Sequence, residues 1–282
     1  MCKDISNSDI LSPFALFFLR AMGATLLFWI SSFFVKQEHI DRKDLLQIIL
    51  ASFIGLLIPQ LTFLVGIRET SSIDTSLMGT LSPIFTMFFA AYFVKEPITW
   101  KKTLGVVISF VGIIILILNS LYHVESSTNK TTLAGLILLF FNCFSFALYL
   151  GAFRPLITKY SVVNFMKWMF LATTIMSAPF CITDTVRFFS QLNANVHSLY
   201  WEIAFVVFFA TFVAYFLIPI GQKYIRPTLV SMYSYVQPVI AVVISVCIGL
   251  DYLSLTKCLA IIMIFLGVAI VNRSRSLNNP HC

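Results

Sequence analysis

The sequence predicts an all-α, polytopic membrane helical bundle with about nine transmembrane helices from two inverted repeats. Its mean hydropathy of +0.92 and its 11% of charged residues lie outside the range of a soluble domain of this length. Its uncharged stretches are about 20 residues long, which is the length that an α-helix needs to cross roughly 30 Å of hydrocarbon. A repeat within the sequence is the third observation, because its two copies would face opposite ways in the membrane.

Nine apolar segments follow one another along the chain, joined by short polar connections. A helix satisfies its own backbone hydrogen bonds, so each segment is predicted to cross the bilayer as a helix. Residues 1–12 are polar and the apolar run after them is too long for a signal peptide, so the first segment is expected to stay in the mature protein. The segments are residues 13–35, 45–67, 75–94, 103–120, 131–153, 160–183, 203–222, 227–250 and 255–272.

Positive charge is concentrated in alternate connections. One set of connections holds 12 Lys and Arg residues, and the other set holds 5. We expect a multi-pass protein of the cell membrane, plasma or inner. Positive residues near helix ends are retained on the cytoplasmic side, and this gives the orientation. Its C-terminus is predicted to be cytoplasmic, and the N-terminus of this chain outside. The net charge of +7 follows from this bias, so no nucleic-acid partner is expected.

The sequence repeats itself with a shift of 155 residues. A helix proline, an acidic helix end, a basic residue and a glycine recur in one register, which indicates duplication. The copies lie five segments apart, and an odd number of crossings inverts one copy relative to the other. The predicted repeats span residues 1–127, with four helices, and residues 128–282, with five. The matched pairs are Ser76 and Ser231, Pro83 and Pro238, Glu96 and Asp251, Lys102 and Lys257, and Gly112 and Gly267.

Three stretches of the chain resemble the EamA-type branch of the drug/metabolite transporter superfamily. They are LFFLRAMGATLLF in the first segment, LSPIFTMFFAAYFVKEPITWKKTLGVVISFVGIII across the third and fourth, and YSYVQPVIAVVISVCIGLDYLSLTKCLAIIMIFLGVAIV near the end. The resemblance implies a ten-helix fold with both termini cytoplasmic and a central cavity for metabolites such as amino acids. The first segment here is similar to the family's second helix. Either the start site has been placed too late, or this member has nine helices.

Charged residues within membrane helices are costly and usually face a cavity or a partner. Arg20 and Lys167 occupy matching depths in the first and sixth segments, which the repeat pairs. Each either caps the carbonyls of a neighbouring helix end or binds a carboxylate or phosphate. Uncharged polar residues at mid-helix depth are either glue between helices or contacts for a solute between the two halves. The predicted substrate-binding residues are Arg20, Gln60, Asn142, Tyr149, Lys167, Tyr215, Tyr235 and Gln237.

These features predict a secondary-active or facilitative transporter of a small polar, amino-acid-like metabolite, working by efflux or exchange through alternating access. The alternative is a non-transporting membrane protein, such as an assembly or receptor component. An enzyme is not expected, because the helices carry no nucleophile with its base, no aspartate pair and no zinc motif. No metal or cofactor is expected. The partners are the solute and the lipid bilayer, and the oligomeric state stays open, with a monomer plausible.

Overall fold

A computed structural model describes residues 12–70, 72–121, 132–191, 197–247 and 254–274. All regular secondary structure in these ranges is helical, which confirms the predicted fold class. Within the same ranges, six segments are long and apolar enough to cross a membrane, and Ser82–Phe93 is a shorter apolar helix. The six are Pro13–Ser32, Arg42–Gly66, Leu133–Ala152, Val162–Phe188, Trp201–Tyr224 and Leu255–Asn272.

The chain divides into two compact units. Unit 1 comprises Met1–Arg68 and Phe153–Tyr224, and unit 2 comprises Glu69–Ala152 and Ile225–Cys282. Each unit therefore takes helices from both of the predicted sequence repeats. The two repeats are therefore intertwined, and equivalent helices of the two copies pack on one another within a unit.

Within its described residues, unit 1 contains six α-helices that belong to the apolar segments, one short α-helix and two π-helical turns. The second and seventh predicted segments each begin as an α-helix, pass through a π-helical turn and continue as an α-helix. The elements are α1 (Pro13–Ser32), α2 (Arg42–Ser52), the first π-turn (Phe53–Leu57), α3 (Ile58–Gly66), the short α8 (Arg154–Lys159), α9 (Val162–Gln191), α10 (His197–Val207), the second π-turn (Phe208–Val213) and α11 (Ala214–Tyr224).

Helices α1 and α9 form the most extensive helix pair of unit 1, and they run antiparallel. The hydroxyls of Thr25 and Thr174 lie 2.9 Å apart. One turn further along α1 and one turn back along α9, the rings of Phe28 and Phe170 stack with centroids 5.3 Å apart. These two helices are the first and sixth predicted segments, which the repeat makes equivalent.

Unit 2 contains the remaining helices. The third predicted segment is α4 (Ser72–Gly79) followed by α5 (Ser82–Phe93), and the fourth and fifth are α6 (Trp100–Leu121) and α7 (Leu133–Ala152). The eighth predicted segment is α12 (Pro227–Met232), a 3₁₀ turn (Tyr233–Tyr235) and α13 (Val236–Cys247), and the ninth is α14 (Leu255–Asn272).

Helices α6 and α14 form the most extensive pair of unit 2, and their contacts show internal two-fold symmetry. The Ser109 hydroxyl donates to the Ile264 carbonyl, which belongs to its own repeat mate 155 residues away. On either side, Gly105 faces Gly267 and Gly112 faces Ala260. In a two-fold interface, if residue i contacts residue j, then the repeat mate of j contacts the repeat mate of i. The inverted repeat is therefore visible in the packing of this unit.

The third and eighth predicted segments are interrupted at equivalent places, which the hydropathy pattern did not predict. Pro83 and Pro238 have no N–H to donate to the carbonyl four residues earlier, and the chain turns just before each of them. At the interruption the Tyr235 hydroxyl donates to the Thr80 carbonyl across 2.7 Å. These two residues are again repeat mates, so the two interruptions meet at the symmetry axis of unit 2.

Candidate functional site

Arg20 lies well inside the first membrane helix. The hydroxyl of Ser12 accepts the Ala15 N–H and begins α1, and seven residues after Pro13 place Arg20 about 10 Å further along the helix axis. The residue is 8% exposed. Its Nε donates to the Thr211 hydroxyl across 2.9 Å, and Thr211 itself is fully buried.

Within the described part of the chain, no side chain neutralises the charge of Arg20. Among the described residues, no carboxylate oxygen lies within 4.0 Å of its guanidinium. Burial of an uncompensated charge is costly, and it is tolerated where the group pairs or binds something. The surroundings of Arg20 therefore suit an anionic group.

Tyr215 links this arginine to a second polar side chain, Gln60. Tyr215 interacts with the Gln60 side chain and lies within electrostatic range of Arg20. Gln60 is 7% exposed, and its Oε1 has no hydrogen-bond partner within the described part of the chain. We call Arg20, Gln60, Thr211 and Tyr215 the Arg20 cluster; all four belong to unit 1.

The two π-helical turns of unit 1 hold this cluster in place. They begin at Phe53 and Phe208, which are repeat mates, and π-turns are often found at functional sites. Thr211 belongs to the second turn and donates to the Val206 carbonyl five residues earlier, which leaves its oxygen free to accept from Arg20. Gln60 and Tyr215 follow the two turns and are themselves repeat mates.

The structure brings together Arg20, Gln60 and Tyr215 of the predicted site and adds Thr211. The sequence did not single out Thr211, because a threonine in an apolar helix most often bonds its own backbone. Its position relative to Arg20 depends on the π-turn, for which the sequence carries no signal that we recognise.

Lys167 has different surroundings, although the repeat pairs it with Arg20. Its amine donates to the Gln37 side-chain oxygen and lies 5.4 Å from the centre of the Trp29 ring. Glu38 lies within electrostatic range. Lys167 thus ties α9 to the connection between α1 and α2.

The other four predicted residues lie in unit 2. Tyr235 is 1% exposed, and its hydroxyl bridges to Thr80. Asn142 is half-buried beside Cys143, whose thiol approaches it. Tyr149 is buried against the Phe146 ring. Gln237 is exposed.

Two further charged groups stand out, one in each unit. In unit 2, buried Glu96 pairs with the fully buried Lys102 at 2.8 Å and accepts a hydrogen bond from Thr228. In unit 1, the half-exposed Lys159 lies in the connection before α9, where its hydrogen bond to Asp44 raises the pKa of the amine. No group of three or more His, Cys, Asp or Glu side chains suited to a metal occurs among the residues that the structure describes.

The family model described as the EamA-like transporter family matches residues 6–118 and 133–273. The chain belongs to the EamA-like transporter family. The family resemblance predicted from the sequence is confirmed. Its match in two parts covers both copies of the repeat.

Curated relatives of this EamA-like chain are named as transporters. An uncharacterized transporter of Archaeoglobus fulgidus is 24% identical over 94% of this chain and 90% of its own length, and a second from the same organism is 28% identical over 94% and 78%. The uncharacterized transporter YyaM of Bacillus subtilis is 23% identical over 83% and 75%. The chain is therefore a multi-pass membrane protein of a transporter family.

A solved structure has the same fold as this EamA-like chain. The two superpose with a TM-score of 0.73 and 16% sequence identity, and the match covers 96% of this chain and 90% of the other. At this identity the match extends to the fold alone.

Proposed function

We propose that this EamA-like protein moves a small polar, amino-acid-like metabolite across the cell membrane, by efflux or exchange. The observation that carries the proposal is the inverted repeat. In unit 2, repeat mates contact each other on a two-fold axis, and in unit 1 the equivalent helices α1 and α9 pack antiparallel. Inverted repeats of this kind support alternating access, because exchanging the conformations of the two repeats converts an outward-open form into an inward-open one.

The Arg20 cluster is the proposed contact for the solute. Polar groups without partners cost several kcal/mol in hydrocarbon. A polar solute that pairs with the guanidinium and the amide oxygen would offset this cost. Lys167 and Tyr235 are already bonded to Gln37 and Thr80, and they suit structural roles better.

Counterflow in proteoliposomes tests the transport proposal. Vesicles that contain the purified protein and a high internal concentration of one unlabelled metabolite are given the same labelled metabolite outside, over a panel of amino and hydroxy acids. We expect transient accumulation of label for at least one compound and none in protein-free vesicles. Accumulation equal to that of protein-free vesicles for the whole panel would favour a non-transporting membrane protein.

The proposed orientation places the C-terminus in the cytoplasm, as the uneven distribution of positive residues indicates. A C-terminal fusion to a reporter that is active only in the cytoplasm should be active. The matching fusion to a reporter that works only outside should be silent, and the reverse pattern would invert the orientation.

A further inference from the structure

We propose that the Arg20 cluster is a binding subsite for a monocarboxylate that carries a hydrogen-bond donor beside its carboxylate group, such as a 2-amino or 2-hydroxy acid. This subsite rests on the proposed transport function, because its ligand is taken to be the transported solute. Two independent observations carry it: the buried charge of Arg20 without a carboxylate partner, and the buried Oε1 of Gln60 without a donor.

The charge of the cluster suits a ligand with a single carboxylate. The cluster contains one cation, and its other three members are neutral at physiological pH. Lys167, the other buried cation of these membrane helices in the described part of unit 1, is held by Gln37 and Trp29. A 2-hydroxy acid is a monoanion and would leave the cluster neutral, and a zwitterionic 2-amino acid would pair its carboxylate with Arg20 and keep its ammonium group for the Gln60 oxygen. A phosphate dianion would leave one negative charge in a poorly solvated place.

The geometry of the guanidinium favours a carboxylate. Arg20 uses Nε on Thr211, so the edge that carries both Nη atoms remains for the ligand. Two parallel N–H groups on that edge match the two oxygens of a carboxylate. Thr211 thereby sets the orientation of the fork, and it acts as a positioning residue.

The amide oxygen of Gln60 supplies the second half of the recognition. An acceptor that is buried without a donor costs free energy until a ligand supplies one. Gln60 and Arg20 both neighbour Tyr215. An ammonium or hydroxyl group next to the carboxylate of the ligand would therefore meet Oε1 while the carboxylate meets Arg20.

The repeat does not produce a second subsite at Lys167. The residue that matches Thr211 in the first repeat is Leu56, a buried aliphatic side chain, which cannot accept a hydrogen bond. Lys167, which lies at the depth in α9 that matches Arg20 in α1, therefore has no equivalent of the Thr211 hydroxyl in the first repeat. We infer one such subsite in each chain.

Ligand-dependent thermal unfolding of the purified protein in detergent tests the subsite. L-lactate and L-alanine carry both groups, propionate lacks the donor, lactamide lacks the charge, and glycerol 3-phosphate is a dianion. We expect millimolar lactate or alanine to raise the unfolding temperature, propionate to bind about tenfold more weakly, and the last two to have no effect. The subsite would be overturned if lactamide stabilised the protein as much as lactate does. It would also be overturned if none of the carboxylates stabilised the protein.

Three variants assign the effect to residues. Arg20→Gln should abolish carboxylate binding, and Arg20→Lys, which keeps the charge but not the fork, should weaken it by about tenfold or more. Gln60→Met should remove the preference for lactate over propionate. Arg187→Gln is the matched control, because Arg187 is exposed. Unchanged lactate binding in Arg20→Lys, which retains a cation and so is expected to fold, would overturn the assignment.

The counterflow assay separates the failure of the subsite from that of the transport function. Carboxylate binding that depends on Arg20, with no counterflow for any compound, would support the subsite and contradict transport. Counterflow that is unaffected by Arg20→Lys and Gln60→Met would support transport and contradict the subsite.

Discussion

Both units of this protein bury cations among apolar helices, and Lys102 in unit 2 and Arg20 in unit 1 have different surroundings. In unit 2, Lys102 is fully buried against the Glu96 carboxylate, which also accepts from Thr228. In unit 1, Arg20 is buried against the neutral hydroxyl of Thr211. The first arrangement is complete within the protein. The second has no anion among the residues that the structure describes, so we propose that the charge in unit 2 serves folding and the charge in unit 1 serves binding.

The most extensive helix pairs of the two units also differ, in how closely their backbones approach each other. Helices α6 and α14 meet through glycines and one serine hydroxyl, which brings their backbones close and fixes the crossing. Helices α1 and α9 meet through stacked aromatic rings and a pair of threonines. The crossing in unit 2 therefore tolerates less added volume than the crossing in unit 1.

The largest effect is expected from Glu96→Gln. The substitution leaves Lys102 buried without its partner, and breaking a buried pair in this way costs about 3–5 kcal/mol. Denaturant titration in detergent micelles should show this loss. Glu202→Gln in α10 is the control for removal of a carboxylate and should have little effect. Combining Glu96→Gln with Lys102→Met should recover much of the stability, and an equal loss in the double variant would argue against the pair.

The next largest effect is expected from Gly267→Ala. A Cβ at this position would lie 2.1 Å from the Ser109 hydroxyl and 2.4 Å from the Gly105 carbonyl oxygen. Helices α6 and α14 would have to separate, at a cost of about 1–3 kcal/mol. The control is Gly79→Ala, since nothing lies within 4 Å of the added atom there. Equal unfolding free energies for the two variants would contradict the close crossing.

A smaller effect is expected from Thr211→Val. The substitution keeps the shape of the side chain and removes the oxygen that accepts from Arg20. The free energy of unfolding should therefore fall by about 1 kcal/mol. Thr211→Ser, which keeps the hydroxyl, should restore the carboxylate affinity that Thr211→Val loses. If the valine variant bound carboxylates as well as the wild type, Thr211 would have no part in orienting the guanidinium.

The sequence predicted the helical membrane fold, because hydropathy reports it directly. It also placed Arg20, Gln60 and Tyr215 among the candidates, since polar side chains stand out in apolar helices. It did not distinguish Arg20 from Lys167. That difference depends on Thr211, which lies in a π-turn, and on Gln37, which lies in a connecting segment. Neither the π-turn nor the connecting segment has a periodic pattern that could be recognised in the sequence.

The repeat matches the buried pair of unit 2 with Asp251 and Lys257. Lys257, which matches Lys102, is also buried. Asp251, which matches Glu96, lies outside the described residues. Interruptions of the third and eighth segments could be anticipated from Pro83 and Pro238, but the bond from Tyr235 to Thr80 could not, because it depends on the meeting of two distant turns.

The most direct test of the central assignment compares Arg20→Gln with Glu96→Gln by thermal unfolding, with and without the carboxylate that stabilises the wild type. We predict that Arg20→Gln unfolds near the wild-type temperature without ligand and gains nothing from it. Glu96→Gln should unfold at a clearly lower temperature without ligand and still be stabilised by it. A loss of stability in Arg20→Gln as large as that in Glu96→Gln, together with an undiminished response to the carboxylate, would contradict the assignment of Arg20 to binding.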